Sequence, residues 1–230
     1  MSRWRAAAIH LLISVLVVVT LGALLFTLWY PYGLFQFANA DRLLLIVAVV
    51  DVVAGPLLTL IVFKANKPKL GLDLSIIGLV QAALLAYGLS VVWQSRPVFL
   101  VALPERIVLV FANEILDDAL PASGQLPRSG LPWFGPELVG ARLPDDPKVK
   151  QYLLDELIAG RDLPMFPQHY VPFTDIASEL LAGSDPAPTG SQGSSPEHAE
   201  ARMVPITSSR GNAQLLIRPR NGEPIEVITP

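Results

Sequence analysis

Three long apolar stretches near the N-terminus constrain this chain more than any other feature. Residues 6–28 run for 23 positions without a charge, and residues 43–63 run for 21 with Asp51 as the single charge. Residues 74–93 add 20 more positions without a charge. About 20 apolar residues in a helix cross the hydrocarbon core of a bilayer. One such run would also suit the buried helix of a soluble protein, but three within 95 residues, joined by short loops, predict three membrane spans. Composition agrees: 52% of residues are hydrophobic and 16% charged, against about 25% charged in ordinary soluble domains.

Arg3 and Arg5 precede the first run, and Ala38-Asn39-Ala40 resembles a cleavage site. The apolar run is much longer than a signal h-region, and that site lies well beyond its end. The expectation is an uncleaved anchor. Basic residues flank the cytoplasmic ends of spans. Arg3 and Arg5 mark the N-terminus, and Lys64, Lys67 and Lys69 mark the loop between the second and third runs. Both are therefore expected in the cytoplasm, with residues 96–230 outside it. Trp29, Tyr30, Tyr32 and Trp93 then fall at the outer interface, where amphipathic aromatic rings settle. Arg96 lies just past Trp93 and is expected to anchor at the membrane edge, reaching lipid phosphate or nearby acids.

Charge divides the chain as sharply as hydropathy does. Residues 1–95 carry six Lys/Arg against three acids, and the remainder carries eleven against seventeen. The net charge of −3 argues against a nucleic-acid binder. The expected domains are a three-span membrane part, 1–95, and a small extracytoplasmic α+β domain, 96–183 with 205–230. A Ser/Gly/Pro-rich linker, 184–204, separates the two pieces of the latter. Within the domain, Pro97-Val98-Phe99-Leu100-Val101-Ala102 and Arg106-Ile107-Val108-Leu109-Val110-Phe111 read as a strand hairpin. Residues 120–147, with six prolines, read as an irregular connection. Asp146 and Pro147 start a helix that ends at Gly160, with Val149, Leu153, Leu154, Leu157 and Ile158 as its apolar stripe. Thr174 is expected to cap a second short helix ending near Gly183. A last hairpin turns at Asn221-Gly222.

Absent cysteine removes disulfides, thiolate metal sites and cysteine nucleophiles. No phosphate-binding loop, dinucleotide fingerprint, nucleophile elbow or zinc-helix motif is present. His10, His169 and His198 are too scattered to suggest a metal site. His169 is a possible base, though a lone loop histidine is more often a plain surface residue. The adjacent acid pairs 117–118, 145–146 and 155–156 read as solvated faces or helix caps. No cofactor is expected.

Asp51 is the residue that stands out. A carboxylate within a span costs roughly 2.5–3.5 kcal/mol on insertion scales and faces protein rather than lipid. Pro56 removes a backbone donor and frees a carbonyl near Val52, so a kink is expected, while Gly55 permits close approach of another helix. Gln81 and Tyr87 of the third run and Thr20 of the first are candidate partners by depth. Two readings stay open: an internal bond holding the three helices, or recognition of a polar group on a partner helix. A proton or ion pathway would need several ionisable residues.

A set of local motifs then resembles a known family. These are Trp29-Tyr30-Pro31-Tyr32, the 50–63 segment around Asp51-Val52-Val53-Ala54-Gly55-Pro56, Asp73-Leu74 with Gln81 and Tyr87-Gly88, and Ser95-Arg96-Pro97-Val98-Phe99. Together they resemble the TfpX/TfpZ type IV pilin accessory proteins, most densely over residues 29–111. Leu163-Pro164 and Tyr170-Val171-Pro172 extend the likeness. The resemblance implies a bacterial inner-membrane protein with a periplasmic C-terminal domain. It also implies a cognate major or minor pilin as partner, beside membrane lipid, and no enzymatic activity. The rival readings are a membrane-anchored subunit of an enzyme or transporter complex, and a periplasmic sensor.

Overall fold

The computed structural model describes residues 2–65, 67–115, 130–187 and 201–228. It divides into two compact units, residues 1–27 with 39–94, and residues 28–38 with 95–230.

In the first unit, helix α1 covers Arg3–Trp29. Helix α2 (Leu34–Phe37) belongs to the other unit. Next come α3 (Ala40–Val49), a π-helical turn at Val50–Ala54 and α4 (Gly55–Val62), which run on as one helix. Helix α5 covers Leu70–Gln94. Arg3–Trp29, Ala40–Val62 and Leu70–Gln94 are each long and apolar enough to cross a membrane. Leu12, Leu16, Ile61 and Leu79 all point outward and stand exposed. In water a surface of this kind would be a liability, whereas lipid tails cover it without penalty. Before Pro56, where a kink is expected, the helix carries a π turn at Val50–Ala54. Proline lacks an N–H and its ring crowds the preceding turn, and the chain accommodates it by widening that turn to π geometry.

The second unit is built on one mixed sheet. Its strands are β1 (Pro97–Ala102), β2 (Ile107–Phe111), β3 (Glu137–Ala141), β4 (Tyr170–Val171), β5 (Asp185–Pro186), β6 (Arg202–Ser208), β7 (Gly211–Ile217) and β8 (Pro224–Ile228). The order is β4-β3-β1-β2-β6-β7-β8, with β5 paired to β6. The β1–β3 and β2–β6 pairs are parallel and the others antiparallel. Val98, Phe99, Leu100, Val101 and Ala102 of central β1 are fully buried, as the near-continuous apolar run requires of a strand covered on both faces. Helix α6 (Pro147–Ile158) starts where expected, with Asp146 Oδ1 accepting from Lys148 N at 2.8 Å. Helix α7 covers Thr174–Ala182 and buries Ile176 and Leu180. The hairpin turn before β8 uses Gly222 at φ 67°, a left-handed conformation that suits glycine.

Several expectations need correction. Residues 28–38 pack with the strands rather than with the spans: Leu34 is fully buried, Phe37 nearly so, and Tyr32 O accepts from Val227 N at 2.9 Å. The 120–147 connection contains β3, whose partner β1 lies far away in sequence. The expected linker 184–204 holds β5 and the start of β6, while its centre, 188–200, lies outside the described residues. Thr174 is the first residue of α7, and Phe173 stands at the cap position without a side-chain cap bond. Of the α6 stripe only Leu153 is buried; Leu154, Leu157 and Ile158 are exposed.

Candidate partner-binding site

The π turn governs where Asp51 points. One turn of widened helix places this carboxylate inward, 6% exposed, between Val50 and Val52. Its Oδ2 has no hydrogen-bond partner among the described residues. Gln81 and Tyr87, and Thr20 on α1, therefore do not satisfy that oxygen. A buried carboxylate oxygen without a donor is costly, since nothing replaces the water it has lost.

Asp51 is one of the residues that line a groove of about 390 Å³ between the Ala40–Val62 helix and α5. Its walls are apolar, with Leu43, Val47, Leu84 and Val91 among them, and Asp51 and Tyr87 bring the polar side chains to this lining. Tyr87 is well exposed. Two glycines let these helices approach. A Cβ on Gly88 would sit 2.9 Å from Val47 Cγ2, and one on Gly55 would fall 1.8 Å from Gln81 Nε2. Small residues at such crossings allow backbones to close in the absence of a hydrophobic drive between helices. Pro56 follows Gly55 in the first turn of α4 and shapes the site through the π turn rather than by touching the groove.

A second polar contact lies in the same unit. His10 Nδ1 and Thr59 Oγ1 are 2.6 Å apart, which joins α1 to α4. His10 is also close enough to Asp51 to interact with it electrostatically. In sequence His10 stands out only as one of three scattered histidines. The available signal was that a polar residue in a span needs a partner, and Thr59 is the polar residue of α4.

The residues expected at the membrane interface behave differently from one another. Trp29 and Trp93 are half-buried and Tyr32 is exposed, with φ 60°. Tyr30 is instead in the core of the strand-rich unit, 1% exposed and edge-on to Phe35 at 5.7 Å. Burial pushes its hydroxyl pKa up, against the pull of the nearby Arg210 cation. Arg96 is also buried, and its Nε and Nη2 donate to Pro132 O at 3.3 and 3.2 Å. It braces a loop of its own unit. Burial lowers its pKa. The residue that sequence reading missed is Arg210, which donates to Ala38 O at 2.7 Å and to Ser95 O at 3.1 Å. It therefore holds both segments that enter this unit from the spans. Among the described residues no group of three His, Asp or Glu could hold a metal ion.

Comparison with known proteins places this architecture. Residues 1–35 match the family model described as Fimbrial assembly protein FimB. The chain is 25% identical over 235 positions to the fimbrial assembly protein of serogroup E1 of Dichelobacter nodosus, covering 94% of this chain and 91% of that protein. It is 27% identical over 185 positions to the serogroup I protein, 79% of this chain and 71% of the other. Against the protein of serogroups C1 and C2 it is 31% identical over 119 positions, 51% of this chain and 91% of the other. No solved structure matches. The relatives carry one description between them, and the chain belongs to the fimbrial assembly protein family.

Proposed function

We propose that this protein assists assembly of a type IV pilus by holding the membrane helix of a cognate pilin, major or minor, against the Asp51 groove. This is the kind of role implied by the resemblance to the TfpX/TfpZ accessory proteins. Relatives named as fimbrial assembly proteins support it. The protein sits in the bacterial inner membrane with its N-terminus in the cytoplasm and its strand-rich unit in the periplasm, where it can meet the pilin head. The lysines at 64, 67 and 69 support that orientation. The role is one of binding and needs no catalytic step or cofactor.

One observation carries the reading: Asp51, which lines a groove with apolar walls, has a buried carboxylate oxygen with no hydrogen-bond partner among the described residues. Within lipid, water cannot supply the missing bond. A neighbouring helix that brings an N–H or O–H to this depth relieves the cost and fills the groove at once. A helix without such a donor leaves the cost in place, so the site discriminates as well as binds.

The test is the abundance of both proteins, with surface pili, in Asp51→Asn and Asp51→Leu cells. Both variants are expected to insert and accumulate normally while the pilin is degraded or fails to assemble. Loss of this protein itself in Asp51→Leu would instead assign the carboxylate to holding the three helices together. Normal amounts of both proteins and normal pili in both variants would sink the reading.

A further inference from the structure

The strand-rich unit carries two adjacent aromatic side chains that stand well exposed. Trp133 and Phe134 are 67% and 70% exposed. Their loop, residues 131–135, reads Leu-Pro-Trp-Phe-Gly and carries no charge. It is nonetheless held firmly. Trp29 Nε1 donates to Trp133 O at 3.0 Å, and Arg96 donates twice to Pro132 O. A Cβ on Gly135 would stand 3.7 Å from Leu28 O.

The residues that do the holding locate the loop. Leu28 and Trp29 are the last two residues of α1, and Arg96 lies two residues past the end of α5. Both helices are membrane spans by length and composition, so the loop is fastened at two chain exits from the bilayer. Sheet direction agrees. Strand β3 follows the loop and runs parallel to β1, which itself begins at Pro97. Both strands thus start at the end of the sheet where the chain leaves the spans.

We propose that residues 131–135 form a lipid-interface anchor, with Trp133 and Phe134 inserting among the headgroups and upper acyl chains. Exposed aromatic rings at this level match the chemistry of the interface, which takes amphipathic Trp and, slightly deeper, apolar Phe. The absence of charge in the loop leaves nothing to oppose entry. Arg96 and Trp29 pre-set the loop, so insertion costs little ordering. The anchor would fix the tilt of the strand-rich unit over the membrane without using the Asp51 groove.

The chain lacks cysteine, so single substitutions give single reporters. Trp133→Cys, Phe134→Cys and the reference Glu105→Cys would each carry a nitroxide label in the full chain. Glu105 lies in the turn after β1, roughly 20 Å along the strand from Pro97 at about 3.3 Å per residue. The protein would be reconstituted in vesicles of phosphatidylcholine and phosphatidylglycerol, and collisions with oxygen compared with those of a water-soluble nickel chelate. Oxygen is expected to dominate at 133 and 134 by severalfold, and nickel at 105. A water-like ratio at 133 and 134, matching 105, would overturn the proposal. Shielding of 133 and 134 from both reagents would also overturn it, since protein rather than lipid would then cover the loop.

Discussion

The Arg210 guanidinium carbon lies 3.7 Å from the centre of the Phe111 ring. From there its two terminal nitrogens reach Ala38 O and Ser95 O. One side chain in the turn between β6 and β7 thus stacks on the end of β2 and fastens the two segments adjoining the spans. A cation over an aromatic face contributes about 0.5–2 kcal/mol, and charged hydrogen bonds about 1.5–3 kcal/mol. Arg210→Ala is expected to destabilise the strand-rich unit by roughly 2–4 kcal/mol. Arg210→Lys should recover only part of this, because an ammonium cannot stack and fork together. Urea unfolding of the full chain in mild detergent, followed through protease sensitivity of the strand-rich unit, reads the difference.

Gly55 and Gln81 should behave as a coupled pair. A methyl at residue 55 collides with the far end of the Gln81 side chain, which can swing away. Gly55→Ala is therefore expected to cost about 1 kcal/mol or slightly more, and much less when Gln81→Ala is also present. Contacting residues depart from additivity in this way. Equal costs of Gly55→Ala in both backgrounds, measured by helix-unit unfolding in detergent, would show that the two side chains do not meet.

Tyr170 ties the 163–170 segment to the core. Its hydroxyl donates to Pro164 O at 2.5 Å, and its ring meets Phe99 edge-on at 5.2 Å. Tyr170→Phe leaves the buried carbonyl without a donor and should cost about 1–2 kcal/mol, seen as a lower unfolding midpoint. Burial holds the Tyr170 pKa far above its usual value. Above about pH 10 the unfolded chain loses this proton and the folded chain keeps it. Stability should therefore fall as pH rises past that point, and less steeply in Tyr170→Phe.

His169 has the opposite pH signature. Burial lowers its pKa, so the folded state favours the neutral ring. As pH falls through about 6.5, the unfolded state takes up a proton before the folded one does. The strand-rich unit should then lose stability between neutral and mildly acidic pH. His169→Gln should flatten that part of the profile of unfolding midpoint against pH. An unchanged slope in the variant would assign the acid sensitivity to other groups.

The sequence makes the local elements of this fold legible and leaves the distant pairings hidden. Apolar run length alone marks the three spans, and short runs of strand-forming residues with turn residues between them mark the β1–β2 and β7–β8 hairpins. Asp146 and Pro147 announce α6 because capping is a matter of adjacent residues. Strand β3 escapes notice because its partner β1 is some forty residues earlier and prolines surround it. Strand β6 contains Pro205, which weakens any strand reading. Tyr30 and Arg96 look interfacial because both are close to the end of a span. What moves them into the core is the packing of residues 28–38 on β7 and β8, and of Arg96 under the 131–135 loop. At the candidate site, the exceptional residue Asp51 and the small residue Gly55 are visible in sequence. The π turn that aims Asp51, and the His10–Thr59 contact beside it, emerge only when three helices are assembled.

What occupies the Asp51 groove decides between the proposed role and its rivals. A photo-crosslinking residue at Leu84 or Val91, both on its wall, would be compared in cells with one at Leu79, which is exposed and not part of the lining. A type IV pilin is expected to be captured from positions 84 and 91, with little of it captured from position 79, and Asp51→Asn is expected to reduce the yield sharply. Capture of the pilin equally from all three positions, or from 79 alone, would contradict the proposed role.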